Sequence, residues 1–435
     1  MRLLIVGGTG KFGRWFVPLF RRHGWEVMVS GRGERREVAD SLGCRYVPAD
    51  EYPKTLKECD MVMISVPIDV FEDVVRKVAP HMRKGSILFD VTSIKKEPIE
   101  AMLKYAPEGV EVVGTHPMFG PTVPNLKGQT VIMVRTPKSG KGFDMLKSLF
   151  ESEGAHVEVM GAEEHDRVMA VVQGLTHFAY ISIGATLKKL GFDVAKSRKC
   201  MSPVYEVMID FVGRILAQNP YLYALIQTNP ETIEVRKVFL EEARRLSELI
   251  ERNDIEGFVK TMKESASHFG NTEAALRRSD KIIRRTIDEL ENVMSSIGKE
   301  VIVQHVKGTY HRGILVDVKG RELIIREGKR TGIFKLENIR ILEPHEVMEW
   351  RMKNVPRVRR DFSFFVPEGA SEDVLRWVIS NVENVADVSL IDVYNHEKGR
   401  SITFRVEILS DVDVKSIEHE IIRILKGLGC SIRGE

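Results

Sequence analysis

The sequence has few cysteines, few aromatic residues and no marked excess of either charge. Its four cysteines (Cys44, Cys59, Cys200 and Cys430) are far apart and form no CxxC pair, so we expect neither a disulfide framework nor a metal site. Lys and Arg exceed Asp and Glu by only three charges, which argues neither for nor against a nucleic-acid partner. With 43% hydrophobic and 29% charged residues, the composition is that of an ordinary soluble protein.

Long apolar runs are also missing. The opening segment MRLLIVGGTG has an apolar run too short for the core of a signal peptide, and glycines interrupt it at once. No stretch in the sequence approaches the roughly 20 consecutive apolar residues needed to span a membrane. These observations predict a cytoplasmic protein with no membrane partner.

Short apolar segments alternate with amphipathic stretches over residues 1–161. The predicted strands are Leu3–Val6, Glu26–Val29, Met61–Val66, Ser86–Val91, Val110–Val113, Thr130–Val134 and His156–Met160. Helical patterns such as Phe12–His23 lie between several of them. Strand–helix alternation of this kind predicts an α/β domain with a mostly parallel, doubly wound sheet.

The pattern changes twice after residue 161. Residues 162–287 have helical periodicity, which predicts an all-α substrate and dimerisation domain. Residues 288–345 contain five short strand candidates, which favour a small SH3- or Sm-like β-barrel. Residues 346–435 follow the order βαββαβ of an α+β ferredoxin-like domain. We interpret Pro344–Arg360, which carries five basic residues, as a linker into that last domain.

The strongest local motif is a glycine-rich turn between a strand and a helix. Strand Leu3–Val6 leads into a GxGxxG pattern that opens the first helix, the context expected of a dinucleotide-binding loop. Such glycines allow a tight turn and close approach of a pyrophosphate to the helix N-terminus. The predicted cofactor loop comprises Gly8, Thr9, Gly10, Lys11, Phe12 and Gly13.

The end of the second strand bears on the choice between NAD and NADP. An NAD site usually has an acidic residue here that binds the ribose 2′-hydroxyl, whereas this sequence has Ser30 and Arg32. A guanidinium would bind a 2′-phosphate through charge-assisted hydrogen bonds. We therefore expect NADP to be preferred, although Glu34 could reach the ribose and NAD remains the alternative.

Eight segments together resemble the prephenate and arogenate dehydrogenase family over about residues 1–285. They are GGTGKFG (7–13), SVPI (65–68), DVTSIK (90–95), HPMFGP (116–121), EEHD (163–166), QGLTHF (173–178), SPVY (202–205) and VGRILAQNPYLY (212–223). The segments occur in the order typical of the family. The resemblance places Val66 and Pro67 beside the cofactor.

The resemblance implies oxidative decarboxylation of prephenate to 4-hydroxyphenylpyruvate in tyrosine biosynthesis, by a homodimer. It implies that His177 is the catalytic histidine that hydrogen-bonds the C4 hydroxyl, and that Ser93 lies beside the nicotinamide and the reacting ring, near His116. A neutral imidazole can accept that proton near neutral pH. Arogenate dehydrogenase is the alternative, because Thr122–Asn125 departs from the family's usual loop sequence.

The two carboxylates of prephenate require cationic partners. Arg214, in the segment VGRILAQ, matches a family motif and is one candidate substrate ligand. The family also uses an arginine on a later helix. Arg236 is our leading candidate there, with Arg244 and Arg245 as alternatives.

Four short segments stand out in the last domain: RDFSF (360–364), DVY (392–394), KGRS (398–401) and FR (404–405). With them, residues 360–435 resemble the ferredoxin-fold anticodon-binding domain of the phenylalanyl-tRNA synthetase β chain. The resemblance implies tRNA contacts at Arg360, Lys398, Arg400 and Arg405. Binding of an amino-acid effector, or a role in assembly, is the competing interpretation and the one that we favour. A regulatory or RNA-binding protein on a dehydrogenase frame is the alternative for the whole chain.

Overall fold

The apolar segments of the first 160 residues form one eight-stranded sheet in this computed structural model, which describes residues 1–33, 35–397 and 399–433. The strands are β1 (Arg2–Val6), β2 (Glu26–Ser30), β3 (Arg45–Tyr46), β4 (Met61–Ile64), β5 (Ile87–Asp90), β6 (Glu111–Pro117), β7 (Thr130–Arg135) and β8 (His156–Met160). Their order is β3-β2-β1-β4-β5-β6-β7-β8, and only the β6–β7 pair is antiparallel. This is the doubly wound order of a Rossmann-like domain, as predicted.

Helices cover both faces of this sheet. They are α1 (Lys11–Arg22), α2 (Arg36–Ser41), α3 (Tyr52–Thr55), α4 (Phe71–Val78), α5 (Lys96–Tyr105) and α6 (Lys141–Ser152). Leu3 and Ile5 belong to the apolar cluster on one face, and Leu4 and Val6 to the cluster on the other. Because successive side chains point to opposite faces, a strand buried on both sides is apolar throughout, which is why the runs were visible in the sequence.

The chain then becomes helical. The elements are α7 (Ala162–Met169), α8 (Thr176–Lys189), α9 (Val194–Ser197), α10 (Pro203–Leu216), α11 (Pro220–Ile226), α12 (Glu231–Glu251) and α13 (Ile255–Phe269). A π-helical segment, Ala170–Leu175, joins α7 to α8 without a break. The sheet and these helices together form the first of two compact units, Met1–Ala275.

The helix that runs through Ala162–Lys189 is long and apolar enough, by length and composition, to cross a membrane. The sequence criterion of about 20 consecutive apolar residues does not detect this helix, because polar residues are scattered between its apolar ones. Only 17% of its most apolar window is buried within the chain. Val171 and Val172 are each about half exposed on it. An apolar helix with so little cover indicates a surface that another element covers.

The second unit, Leu276–Glu435, contains two antiparallel sheets. After α14 (Thr272–Ser295), the first has the order β12-β11-β10-β9-β13, formed by β9 (Glu300–His305), β10 (Tyr310–Lys319), β11 (Glu322–Glu327), β12 (Arg330–Lys335) and β13 (Ile339–Ile341). The elements that follow are α15 (Pro344–Asn354), β14 (Arg357–Phe365), α16 (Glu372–Ser380), β15 (Val385–His396), β16 (Gly399–Leu409), α17 (Val414–Gly427) and β17 (Ser431–Ile432). From β14 onward they follow the predicted βαββαβ order, with the sheet arranged β15-β16-β14-β17.

The interpretation of Pro344–Arg360 as a linker was wrong. Pro344–Asn354 is a helix, and Arg357 already begins β14. The basic residues are held by carboxylates: Arg351 pairs with Asp411 at 2.7 Å, and Arg357 with Glu407 at 2.8 Å. The charged segment that was interpreted as a linker therefore consists of helix α15 and the start of strand β14.

Candidate active site

The glycine-rich turn has the close packing that a dinucleotide loop requires. A Cβ atom on Gly13 would lie 2.5 Å from the Gly7 carbonyl oxygen, and one on Gly8 would lie 2.7 Å from Val29 Cγ1. A Cβ atom on Gly10 would meet only the Gly7 oxygen, at 3.1 Å, so the outer side of the turn is open. The first turn of α1 has no side-chain cap, which leaves its N–H groups available to an anion. These residues fit a bound pyrophosphate.

The predicted neighbours of this turn lie around it. The segment after β4 packs on Gly7, where a Cβ atom would lie 3.2 Å from Val66 Cγ1, and Pro67 begins the short turn that follows. The Thr9 side chain packs against Gly31, and Lys11 is exposed at the start of α1.

At the end of β2, the Ser30 hydroxyl is buried and lies 2.7 Å from the Tyr52 hydroxyl, so it faces the interior. Arg32 is exposed and has no ion-pair partner among the described residues; Glu34 lies outside them. The Tyr221 hydroxyl donates a hydrogen bond to Asp69. This bond raises the pKa of Tyr221, and the positive charge of Arg32 offsets part of that shift. The Arg32 guanidinium therefore lies just after β2, and no carboxylate among the described residues pairs with it.

Helix α1 also holds the loop that follows β6. Trp15 Nε1 donates to the Val123 carbonyl at 2.7 Å, and the rings of Trp15 and Phe119 lie 4.9 Å apart. Phe12 makes an edge-on contact with Phe119 at 6.0 Å. The segment HPMFGP is therefore fastened to the same helix that forms the cofactor loop.

A buried ion pair lies where β5 ends. Lys95 and Asp90 are fully buried, and the Lys95 ammonium contacts the Asp90 carboxylate. Burial lowers the pKa of Lys95, and the charge of Asp90 offsets part of that shift. Thr92 donates to the same carboxylate. Ser93 lies half-buried in this turn, between Thr92 and Lys95.

Three side chains form a hydrogen-bonded chain behind β6. Asp166 Oδ1 lies 2.7 Å from His165 Nδ1, and His165 Nε2 lies 2.9 Å from His116 Nδ1. Asp166 also accepts the backbone N–H groups of Lys95 and Lys96, at 2.7 and 2.9 Å. Burial raises the pKa of Asp166, but the bonds from His165 and the backbone outweigh it and the pKa is lowered. Asp166 is accordingly an ionised acceptor.

This chain determines the tautomer of His116. An ionised Asp166 can only accept, so His165 donates from Nδ1 and presents a lone pair at Nε2. His116 must then donate from Nδ1, which leaves a lone pair on its own Nε2. Burial, followed by the nearby His165 and Lys95, lowers the pKa of His116 well below its usual value and keeps it neutral. Gln173 Nε2 lies 3.2 Å from this Nε2 and donates to it.

Gln173 and His177 present two further polar atoms to the cleft. Gln173 Oε1 and His177 Nδ1 are buried and have no partner in the described structure. Burial lowers the pKa of His177 to about 4, so its imidazole is neutral. Both residues extend from the same helical face, four positions apart, across the π-helical segment.

The predicted substrate arginines differ in their surroundings. Arg214 is exposed, and its charge acts on Tyr223, whose ring centroid lies 4.4 Å from that of His177. Arg236 Nη1 instead bonds Gln227 and Thr232. Arg245 is exposed and bonds Glu242, and Arg244 is exposed.

The sequence analysis assigned no role to Lys95, His165, Asp166, Gln173 or Tyr223. All five lie in segments that it had singled out. The sequence does show adjacent charged or histidine residues at the end of a buried strand or helix, and these could have indicated site residues. Their partners lie far away in the sequence, so spacing alone does not predict which residues pair.

The arginines proposed to contact tRNA are paired within the second unit. Arg360 Nε lies 2.5 Å from Glu418, Arg405 Nη2 lies 2.8 Å from Asp361, and Arg400 contacts Glu372. Lys398 lies outside the described residues. A surface on which each basic side chain faces its own carboxylate offers little net charge to a phosphate backbone.

Comparisons with known proteins identify families and relatives that this chain resembles. Residues 18–159 match the family "Prephenate dehydrogenase, nucleotide-binding domain" and residues 161–264 match "Prephenate dehydrogenase, dimerization domain". A probable arogenate/prephenate dehydrogenase of Methanocaldococcus jannaschii is 38% identical over 99% of this chain and 98% of its own. A 4-amino-4-deoxyprephenate dehydrogenase of Streptomyces pristinaespiralis is 33% identical over 64% of this chain and 94% of its own.

Among solved structures, prephenate dehydrogenase from A. aeolicus, in complex with hydroxyphenyl propionate and NAD+, superimposes with a TM-score of 0.51 at 25% identity. That match covers 61% of this chain and 96% of the other. The two domain matches fall on the sheet domain and the helices whose side chains meet at His116, and the archaeal relative extends the likeness over almost the whole length. The chain belongs to the prephenate and arogenate dehydrogenase family.

Proposed function

We propose that the protein oxidatively decarboxylates prephenate to 4-hydroxyphenylpyruvate, with His116 as the proton acceptor. The observation that carries this proposal is the Asp166–His165–His116 chain, which presents a lone pair at Nε2 beside the dinucleotide cradle. Prephenate carries two carboxylates, and the exposed guanidinium of Arg214 is the proposed partner of one of them.

In the proposed reaction, the C4 hydroxyl of the substrate takes the place of the Gln173 amide at His116 Nε2 and gives its proton to that nitrogen. The C4–H bond breaks with both electrons as hydride, and the bond from the ring to its carboxylate breaks to release CO2, which leaves the ring as a phenolate; His116 then returns its proton to the oxygen to give the phenol. Oxidised nicotinamide, when bound, supplies the hydride acceptor. The positive charge that arrives on His116 is shared through His165 with Asp166, which makes proton transfer favourable in a buried site.

His177 has a different part in this proposal from the one that the resemblance implies. Its Nδ1 is buried, and among the described residues it has no hydrogen-bond partner and no carboxylate that acts on it to stabilise an imidazolium. Burial lowers the pKa of both histidines, so the distinction between them rests on the Asp166–His165 chain that would share a positive charge on His116. We propose that neutral His177 and half-buried Ser93 orient the substrate, with Arg214 facing a carboxylate.

Arogenate is the second candidate substrate. The relative from M. jannaschii is named for both arogenate and prephenate, and the one from S. pristinaespiralis for a substrate with an amine in place of the C4 oxygen. The carboxylate-binding and proton-accepting groups proposed above suit either side chain, ketone or amine.

The test is reduced-nicotinamide formation by the purified protein, measured at 340 nm with prephenate or arogenate and with NAD or NADP. We expect turnover with prephenate and a higher kcat/KM with NADP than with NAD. If a folded protein is inactive in all four combinations, the proposed function is wrong. Turnover with arogenate alone would move the assignment to the second candidate.

NADP preference rests on Arg32, which is exposed at the end of β2, where no acidic side chain is present at position 30 or 31. We expect Arg32→Ala to weaken NADP binding about 10-fold or more, because a charge-assisted phosphate contact is lost, and to change NAD binding less than 2-fold. Fluorescence titration of both reduced cofactors measures this. Lys11→Ala, beside the pyrophosphate turn that both cofactors share, is the comparison and should affect both alike. Equal weakening by Arg32→Ala would refute the 2′-phosphate contact.

We also propose that a second copy of the chain covers the apolar helical surface of the first unit. Residues 161–264 match a domain named for dimerisation, and Val171, Val172 and Met262 are among the large apolar side chains that it leaves exposed. Covering them by a homodimer removes an apolar surface that would otherwise face water. This accounts for the apolar helix in a protein that we expect to be cytoplasmic.

For the second unit we propose a ferredoxin-like domain, preceded by a small barrel, with a role in regulation or assembly. The relative from M. jannaschii matches 99% of this chain, so it shares this region, whereas the S. pristinaespiralis enzyme matches only 64%. Dehydrogenase chemistry therefore does not require it. The pairing of Arg360, Arg400 and Arg405 with carboxylates favours this role over tRNA binding.

A further inference from the structure

The π-helical segment Ala170–Leu175 is an irregular element at the centre of the site. A π-turn widens the helix by one residue and leaves its carbonyl groups poorly satisfied, so it persists only where something outside the helix supports it. Here that support is visible: Gln227 Nε2 donates to the Gly174 carbonyl at 2.9 Å.

Arg236 fixes the orientation of Gln227. Its Nη1 donates to the Gln227 side-chain oxygen at 3.0 Å, to the Gln227 backbone oxygen at 3.0 Å and to Thr232 Oγ1 at 2.7 Å. With Oε1 held by the guanidinium, the amide nitrogen of Gln227 has to face Gly174. The half-buried Arg236 thus acts on the π-helical segment through Gln227.

Close packing at Gly174 supports the same segment from a second side. A Cβ atom on Gly174 would lie 2.7 Å from Thr232 Cγ2, and Thr232 is 1% exposed. The absence of a side chain at Gly174 therefore lets α12 approach the π-helical segment directly. Thr232 packs on the π-helical segment directly, and Arg236, one turn further along α12, acts on it through Gln227. We call these contacts together the clamp.

The residue held in place by this clamp is Gln173. It precedes Gly174, and its Nε2 donates to His116 Nε2 at 3.2 Å. We propose that Arg236 is a positioning residue for His116, acting through Gln227 and the π-helical segment to aim Gln173 at the reactive nitrogen, rather than a ligand of the substrate carboxylate. This inference rests on the proposed function.

The pH dependence of turnover follows from this contact. A donor at Nε2 stabilises the neutral imidazole, so it lowers the pKa of His116; losing it raises the pKa, and activity then disappears at a higher pH on the acid side. The other groups that face His116 are His165, backed by Asp166, and Lys95, backed by Asp90. None of these is altered by a change at Arg236 or Gln227.

The experiment compares Arg236→Gln, Gln227→Met and the double variant. Gln227→Met removes the amide but keeps the charge of Arg236. We expect each variant to shift the acid limb of the kcat/KM profile upward by about half a pH unit, the effect of losing one hydrogen bond, and to leave kcat on the plateau within about 2-fold of wild type. The double variant should be no worse than either single one, because both act on the same contact. Lys237→Gln, on the exposed side of the same turn, is the control and should behave as wild type.

A direct role in binding would give a different pattern. If Arg236 held the substrate carboxylate, Arg236→Gln would raise the substrate KM without moving the acid limb, Gln227→Met would have little effect, and any losses would add. That result overturns the proposal. NADPH titration and thermal unfolding report whether each variant is folded, and if Arg236→Gln is not, the Gln227→Met profile alone decides through its limb shift.

A spectroscopic readout separates this inference from the proposed reaction. In ¹⁵N-histidine-labelled protein, His116 should show a protonated Nδ1 and a hydrogen-bonded, unprotonated Nε2, with the Nε2 signal moving in both variants but not in Lys237→Gln. An unchanged signal refutes the clamp. If wild-type protein has no turnover but the signal moves, the proposed function fails and the positioning role stands.

Discussion

His116→Asn is expected to lower kcat about 10²- to 10⁴-fold, because a general base in a proton-transfer step contributes about that much. The variant keeps a side chain that can bond His165, so the fold and the cofactor cradle should be preserved. Stopped-flow or steady-state measurement at 340 nm gives kcat, and titration with NADPH should give a dissociation constant within about 2-fold of wild type.

His177→Asn is the matched comparison, because the imidazole of His177 is neutral like that of His116. Unlike His116, His177 has no hydrogen-bond partner at Nδ1 among the described residues. If His177 only orients the substrate, its loss should raise KM and lower kcat less than the loss of His116 does. A larger kcat loss in His177→Asn would place the base at His177, as the family resemblance implies. The two variants therefore decide between the histidines with one assay.

Lys95→Met is expected to reduce the stability of the first unit by about 3–5 kcal/mol, because it leaves the Asp90 carboxylate buried without its counter-charge. The measurement is urea unfolding followed by tryptophan fluorescence, in which Trp15 and Trp25 report on the sheet domain. Adding Asp90→Asn should recover part of the loss, since the buried charge is then absent.

Lys96→Met provides the control for this prediction. Lys96 is the next residue, but its ammonium is about half exposed and lies 3.5 Å from an exposed Glu163. Surface pairs of this kind contribute at most about 1 kcal/mol. Similar losses in the two methionine variants would mean that the Lys95–Asp90 pair does not stabilise the fold.

The doubly wound sheet was predictable because burial on both faces makes each strand a continuous apolar run. Strand β3 was missed, since it has only two residues, Arg45–Tyr46, and one of them is exposed. The segment Pro344–Arg360 was misinterpreted because its arginines are distributed over helix α15 and the start of β14, and not over a linker. Their carboxylate partners, such as Glu407, come about 50 residues later in the sequence.

The site was predictable only in part. The glycine loop is local, so its residues could be assigned from spacing, and motif likeness pointed to His116 and His177. The hydrogen bond between His116 and His165 could not be predicted, because the two residues are 49 positions apart and meet only when β6 lies beside α7. Arg236 was selected as a substrate ligand for its charge, whereas its neighbours Gln227 and Thr232 hold Nη1 within the protein.

The π-helical segment also constrains how this chain can change in length. An α-helix turns about 100° per residue, so deleting one residue from Ala170–Leu175 would restore a regular helix and rotate everything beyond it by that angle. His177 and the face it shares with α10 and α12 would then point elsewhere. A single deletion here should be far less tolerated than a substitution, and homologous chains that keep this site should keep the number of residues between Asp166 and His177.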